Sequence, residues 1–362
     1  MQVTSITIEN FRNFISLETS FLPSVNVFIG SNGSGKTNLL EAIFSLCLGR
    51  SQRGAGDSLM LRNGSEFYRL SGEIEHDGTT RQLAVAYQRQ GRKKITVDGI
   101  PERLATLYDH FCAVSAGPED SAILSGPPAS RRGFMDIYMS QLSVRHLSDL
   151  TDYQKVLAQK NAALKREMDP SPFEPLQVTL GARIMQRRLE FIASLRELAS
   201  NHYAAIAGGE TLELSYEPSV RLEETEPDVA AIEQAFREKL QRHSRREQVM
   251  QTAMVGPHRD ELRFDINGFP ARTHGSQGQW RTGAISLKLA IYELLKSRRG
   301  SAPILLLDEI FAELDRHRAE GLIGAFGGFS QLFLTTAVEP PEILRGSGRY
   351  YRIEGGVLEE VN

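Results

Sequence analysis

Gly30-Ser31-Asn32-Gly33-Ser34-Gly35-Lys36-Thr37 is the stretch that decides how this chain is read. Three glycines let the backbone curl around a phosphate chain. Lys36 brings a point charge to the β/γ-phosphates, and the Thr37 hydroxyl can ligate Mg²⁺. The flanks fit the same use: residues 24–29 read as a short buried strand, and residues 37–48 as a helix whose positive end faces the phosphates. A glycine-serine linker requires neither flank. The pattern therefore predicts an ATP site lined by Gly30, Ser31, Asn32, Gly33, Ser34, Gly35, Lys36 and Thr37.

Working outward, the second acidic half of such a site is Ile304-Leu305-Leu306-Leu307-Asp308-Glu309, an apolar run ending in two acids. Buried parallel strands have this composition, and ligands bind at their carboxyl ends. Asp308 is expected to hold, through a water, the Mg²⁺ that Thr37 ligates. Glu309 is expected to accept a proton from the water that attacks the γ-phosphate. Most of the chain separates Lys36 from Asp308, so a large insertion interrupts one nucleotide-binding core.

Just before the acidic strand, Gly275-Ser276-Gln277-Gly278-Gln279 opens a helix of its own, and its amides and the Ser276 hydroxyl form a second phosphate cradle. One ATP on the Lys36 helix has no need of a second helix end from the same subunit. The economical arrangement is that Ser276, Gly278 and Gln279 serve the nucleotide of a second subunit, in a closed two-fold dimer.

The 362 residues are 41% hydrophobic and 24% charged, an ordinary globular composition with room for more than one domain. Residues 1–120 read as the first part of the core, with an antiparallel meander over 67–97. Residues 121–250 read as mainly helical, with helices at 131–142, 144–168, 176–206 and 229–250. Residues 251–362 read as the return to the core, with a hairpin at Asn267-Gly268. Cys47 and Cys112 lie in apolar stretches without metal-ligand spacing and read as core residues of a reducing compartment. No apolar run approaches the ~20 residues a membrane helix needs, and no signal-peptide core is present, so a cytoplasmic protein is expected. Net charge is −3, yet residues 237–246 hold five Lys/Arg against one acid. That face and Arg131-Arg132 are candidates for meeting DNA phosphates.

Further stretches share this order of motifs: Glu9-Asn10-Phe11-Arg12-Asn13, Pro118-Glu119-Asp120, Gly256-Pro257-His258-Arg259-Asp260, and Asp308-Glu309-Ile310-Phe311-Ala312-Glu313-Leu314-Asp315. Together they resemble the ABC-type ATPases of the SMC class and, within that class, the RecF family of bacterial recombination mediators. The resemblance runs from end to end. It implies an α/β fold: an ABC-type P-loop ATPase head, made of a mixed sheet with flanking helices and an antiparallel β lobe, with an inserted compact helical lid or arm. It also implies ATP and Mg²⁺ as cofactors, a weak DNA-stimulated ATPase, and an ATP-dependent homodimer. The expected partners are double-stranded DNA, single-strand/double-strand junctions, a RecR-like mediator and, indirectly, RecA, in replication restart and the SOS response. Arg12 and Asn13 would join the nucleotide site, and Asp315 would lie at the dimer contact.

Three departures from that resemblance point to slow hydrolysis. Trp280 stands where the family usually has Gln, Thr335-Thr336-Ala337 offers no switch histidine, and no clear Gln precedes Pro118-Glu119-Asp120. Rival readings fit less well. A transporter subunit usually carries LSGGQ, with Gly where this chain has Gln277, and needs no helical insert. A chromosome-organising SMC protein needs long heptads, and a GTPase needs N-K-x-D. A nucleotide-sensing DNA scaffold without turnover is opposed by Glu309.

Overall fold

The computed structural model describes residues 1–223, 227–311, 318, 322, 329–337 and 348–361. The chain divides into two compact units: residues 1–121, 201–210 and 276–362 form one, and residues 122–200 with 211–275 form the other.

In the first unit, β1 (Gln2–Phe11) and β2 (Phe14–Ser20) pair antiparallel, and β1 also pairs with β4 (Phe67–His76). The sheet continues through β5 (Thr79–Gln88), β6 (Lys94–Val97) and β7 (Ile100–Pro101), in the order β2-β1-β4-β5-β6-β7. The meander predicted over 67–97 lies in it. Asp77 (φ 50°) and Gly78 (φ 71°) make the β4–β5 turn, because two consecutive left-handed residues match the twist of the hairpin.

The second sheet of this unit carries the site. Its order is β15-β14-β3-β13-β12-β8, built from β3 (Val25–Ile29), β8 (Ala113–Ala116), β12 (Ile304–Asp308), β13 (Gln331–Thr336), β14 (Gly348–Glu354) and β15 (Val357–Val361). All are parallel except β15, which pairs antiparallel with β14 at the edge. Every residue of β8, β12 and β13 is buried, as apolar runs of a parallel sheet covered on both faces should be. Phe21, Phe28, Phe333 and Tyr351 pack edge-on and stacked over it. Helix α1 (Lys36–Leu48) follows β3 and is buried along nearly its whole length. Short helices α2 (Asp57–Met60) and α3 (Leu104–His110) follow in the same unit. Cys47 and Cys112 are free and buried, and burial pushes the Cys112 thiol up to about 11, so both are inert core residues.

The second unit holds α4 (Ala122–Ser125), α5 (Pro128–Leu142), α6 (Val144–Lys165), most of α7 (Glu174–Ala207), α8 (Val229–Met250) and α9 (Ala271–His274). Its core joins Val178, Ala182 and Met185 of α7 to Ile232, Phe236 and Leu240 of α8. Two differences from the sequence reading stand out. The unit reaches residue 275 instead of 250, and it contains a three-stranded antiparallel sheet, β11-β10-β9. The cause is β9 (Leu212–Glu217), where buried Leu212 and Leu214 alternate with Glu213 and Ser215. It captures β10 (Glu261–Ile266) and β11 (Phe269–Pro270) on the insert side. The turn at Asn267-Gly268 (φ 51° and 78°) forms as expected. Among the described residues, no helix is long and apolar enough to cross a membrane.

Candidate active site

The phosphate loop leaves β3 at Gly30 and enters α1 at Gly35. A Cβ on Gly30 would collide with the Ile353 carbonyl, and one on Gly35 (φ 114°) would stand 2.5 Å from Asn13 Nδ2. Glycine is required at Gly30 by space, since the obstacle is backbone, and at Gly35 by its dihedral. No side chain caps α1 and no acid lies in its first turn, so its first N–H groups remain available to an anion. Among the described residues the buried Ser34 hydroxyl has no hydrogen-bond partner, as suits a group that donates to a phosphate oxygen.

Lys36 is 4% exposed. Its Nζ donates to the carbonyls of Gly30 (2.7 Å) and Ser31 (3.0 Å) and pairs with Glu309 Oε1 at 2.9 Å. The Thr37 hydroxyl donates to Asp308 Oδ1 at 3.0 Å. Lys36, Thr37, Asp308 and Glu309, remote in sequence, thus meet at one point. Burial raises the Asp308 carboxyl above the usual range, and the bonds from Thr335 and Thr37 oppose that rise.

Strand order explains a residue that sequence reasoning passed over. β13 lies between β3 and β12, which sets Thr335 opposite Asp308 in the parallel register. The Thr335 hydroxyl donates to Asp308 Oδ1 (2.6 Å) and accepts from the Glu309 amide (3.1 Å). Glu309 itself has φ 49°, and its Oε2 accepts from the Ala337 amide at 2.9 Å. The only signal in the sequence was negative, a threonine pair where a histidine is usual.

Asn13 and Arg12 divide their work. Asn13 donates to the Ser34 carbonyl (3.4 Å) and accepts from Asn38 (2.8 Å), so it braces the loop. Arg12 forks onto Glu41 of α1 (2.8 and 2.9 Å) and reaches the Leu59 carbonyl, which fixes the β1–β2 turn. Pro118-Glu119-Asp120 lies beside Asp308, in a small cleft also lined by Gln52, Arg53 and Gly117. Gln52, which carried no motif, places a buried amide oxygen there that has no partner among the described residues.

The signature residues have a separate set of partners. Ser276 caps α10 (Gln277–Arg299): its Oγ accepts from the Gln279 amide (3.2 Å), and Gln279 Oε1 accepts from the Ser276 amide (2.9 Å). The helix therefore starts at Gln277, inside the stretch expected to open it. Asp315 lies outside the described residues.

Of the DNA candidates, Arg131 is corrected. It is 3% exposed and forks onto Glu261, so it is a structural ion pair inside the insert. Arg132 holds the Asp260 carbonyl at 3.0 Å. Asp260 in turn takes bonds from Arg188, Tyr216 and the Ser219 amide, which gives Gly256-Pro257-His258-Arg259-Asp260 a role in building the insert. On α8, Arg237 and Arg242 pair with Glu233 and Glu238, while Arg245 and Arg246 are exposed.

A family model described as the RecF/RecN/SMC N terminal domain matches residues 2–341. A protein of Halalkalibacterium halodurans named DNA replication and repair protein RecF is 37% identical over 93% of this chain and 92% of its own length. One of Staphylococcus carnosus with the same name is 37% identical over 99% and 100%. The chain belongs to the RecF family. The structure described as the recombination mediator protein RecF-ATP in the RecFOR pathway superposes with a TM-score of 0.91 and 29% identity, covering 100% of this chain and 98% of that one. A structure of RecF-ATPrS superposes with a TM-score of 0.89 and 30% identity, covering 99% and 98%. The fold is the ABC-type ATPase head of this family. An SMC head (TM-score 0.55, 13% identity, covering 100% of this chain and 97% of that one) shares the fold alone.

Proposed function

We propose that this chain is an ATP-dependent DNA-binding protein of recombinational repair, active as a homodimer whose subunits share two ATPs. The observation that carries this reading is the cluster of Lys36, Thr37, Asp308 and Glu309 in a chain of the RecF family. The names of its relatives, DNA replication and repair protein RecF and recombination mediator, support the cellular role.

The residues fit ATP and Mg²⁺. Among the described residues no group of three or more His, Cys, Asp or Glu forms a metal cage. A hydroxyl and a carboxylate oxygen 3.0 Å apart, Thr37 and Asp308, are hard donors of the kind Mg²⁺ takes beside phosphate oxygens. The ion, when bound, supplies charge neutralisation at the β/γ-phosphates. Lys36 holds the same phosphates, and the free amides of α1 cradle them. Glu309 accepts a proton from the attacking water, its direction set by Thr335 and Ala337. Ser276 and the first amides of α10 meet the partner's nucleotide, and Asp315 lies at the dimer contact. Turnover is slow and DNA-stimulated. The protein acts at gapped or junction DNA with a RecR-like mediator to promote RecA loading, and so in replication restart and the SOS response.

The test is complementation. Lys36→Met disables a subunit's own ATP, and Ser276→Arg disables its partner's. In a mixed dimer one shared site receives both lesions and the other neither, so random pairing leaves about a quarter of all sites intact. ATPase recovered on mixing supports the shared site. No recovery, with cross-linking showing that mixed dimers formed, overturns it.

A further inference from the structure

Residues 201–210 cluster with the ATPase unit, although the chain on both sides of them belongs to the insert. They comprise the last turns of α7, the glycine pair Gly208-Gly209 and Glu210. Gly208 (φ 67°) and Gly209 (φ 99°) are both left-handed, and the Gly209 amide bonds to the Ala204 carbonyl (3.1 Å), so the helix is stopped and reversed at one point. His202 Nε2 lies 3.1 Å from Glu293 of α10.

The Glu210 carboxylate ties the end of α7 to the signature turn. Its Oε2 accepts from the Tyr203 hydroxyl (2.9 Å) and from Gln279 Nε2 (2.9 Å), and its Oε1 lies 3.5 Å from Arg318 Nη2. Arg318 Nη1 bonds to Thr282 Oγ1 (3.1 Å) and lies so close to Gly278 that a Cβ there would come within 2.8 Å of it. Gln279 is therefore engaged at both ends within its own subunit, by the Ser276 amide at Oε1 and by Glu210 at Nε2. That changes the part it plays: the amide holds the signature, and the Ser276 hydroxyl with the first amides of α10 is left to face an anion.

We propose that Glu210 is a positioning residue of the ATPase, holding Gln279 on one side of the signature turn and Arg318 on the other so that the cradle at Ser276 is rigid before nucleotide arrives. Rigid donors stabilise developing charge without reorganising, and a small misplacement of them is costly. The inference rests on the reading above that the signature serves the second subunit's ATP.

The experiment uses the full chain with Glu210→Ala, Glu210→Gln and, as reference, Ser276→Arg. Affinity for a fluorescent ATP analogue, thermal midpoint and kcat are read for each. Glu210→Ala is expected to keep wild-type nucleotide affinity and thermal midpoint while kcat falls about 10- to 100-fold. Mixed with Lys36→Met, it is expected to regain ATPase, because the lesions fall in one shared site. Glu210→Gln keeps an acceptor for Tyr203 and Gln279 but loses the charge facing Arg318, so its kcat should lie between. It carries the test if the alanine variant fails to fold. Wild-type kcat in both Glu210 variants beside an inactive Ser276→Arg overturns this inference alone. Loss of nucleotide affinity in parallel with kcat, or no recovery in cross-linked mixed dimers, also overturns it. Wild-type kcat in Ser276→Arg overturns the shared-site reading, and this inference with it.

Discussion

Glu309→Gln is expected to bind ATP more tightly while hydrolysing it more slowly. Lys36 and Glu309 form an ion pair at 2.9 Å, with side chains only 4% and 16% exposed. At an effective dielectric of about 20 the gross Coulomb attraction at that distance is about 6 kcal/mol, and most of it offsets hydration lost on burial. A net of about 1 kcal/mol remains for a pair of this kind, or about a fivefold change in an equilibrium. The β/γ-phosphates compete with Glu309 for the same ammonium, so that attraction is subtracted from ATP affinity. Glutamine keeps the size of the side chain and the acceptor for the Ala337 amide but removes the charge. The dissociation constant for ATP should then fall about fivefold, while loss of the base lowers kcat about 100-fold or more. Titration with a fluorescent ATP analogue and a phosphate-release assay read the two effects separately. As a control, Lys36→Met with Glu309→Gln should show no tightening relative to Lys36→Met. An unchanged or weaker affinity in Glu309→Gln would refute the competition argument, and an unchanged kcat would place the base elsewhere.

Gly35→Ala should abolish nucleotide binding, because φ 114° strains any Cβ and Asn13 Nδ2 stands 2.5 Å away. The strain alone costs about 1–3 kcal/mol, which calorimetric unfolding would detect. Thr335→Val removes the shorter of two hydroxyl donors to Asp308, leaving Thr37, and one of two acceptors of the Glu309 amide, which keeps the Thr335 carbonyl. It should cost about 1–3 kcal/mol of stability and lower kcat with little change in ATP affinity; a wild-type kcat would remove Thr335 from the site. Acid should destabilise the insert through two buried histidines. Burial lowers His258 to about 4 and His146 to about 3. The unfolded chain takes up protons near pH 6.5 that the folded rings refuse until those values. Their stabilisation is complete above about pH 6.5 and is lost as pH falls, by up to about 1.4 kcal/mol per pH unit for each ring. Denaturant unfolding between pH 7 and 5 measures this, and His146→Leu should flatten the slope. An unchanged slope would show that His146 does not titrate on unfolding.

The local elements that hold the proposed catalytic groups were legible in the sequence, because their signals are local. Three glycines before Lys36-Thr37 leave few backbone conformations, and an apolar run ending in Asp308-Glu309 fits little besides a buried strand end. Helices 144–168 and 229–250 declared themselves by apolar spacing, and Asp77-Gly78 and Asn267-Gly268 by turn chemistry. β9 did not, because three apolar positions among glutamates become a strand only when β10 lies alongside to accept the hydrogen bonds. β14 and β15 were missed for a related reason, since an edge pair is specified by the sheet it joins.

Side-chain partnership emerged with the folded chain alone. Arg12, Asn13 and Arg131 each carry polar groups that many surroundings would satisfy. Sequence could not say that Arg12 would be spent on Glu41, Asn13 on the phosphate loop and Arg131 on Glu261. Thr335 faces Asp308 because β13 runs between β3 and β12, and Glu210 reaches Gln279 because two glycines turn the chain back at the end of α7. Which residues could do phosphate chemistry was readable before folding, since that depends on residue type and short spacing. The fold decided which groups hold them in place, since that depends on contacts between segments far apart in the chain.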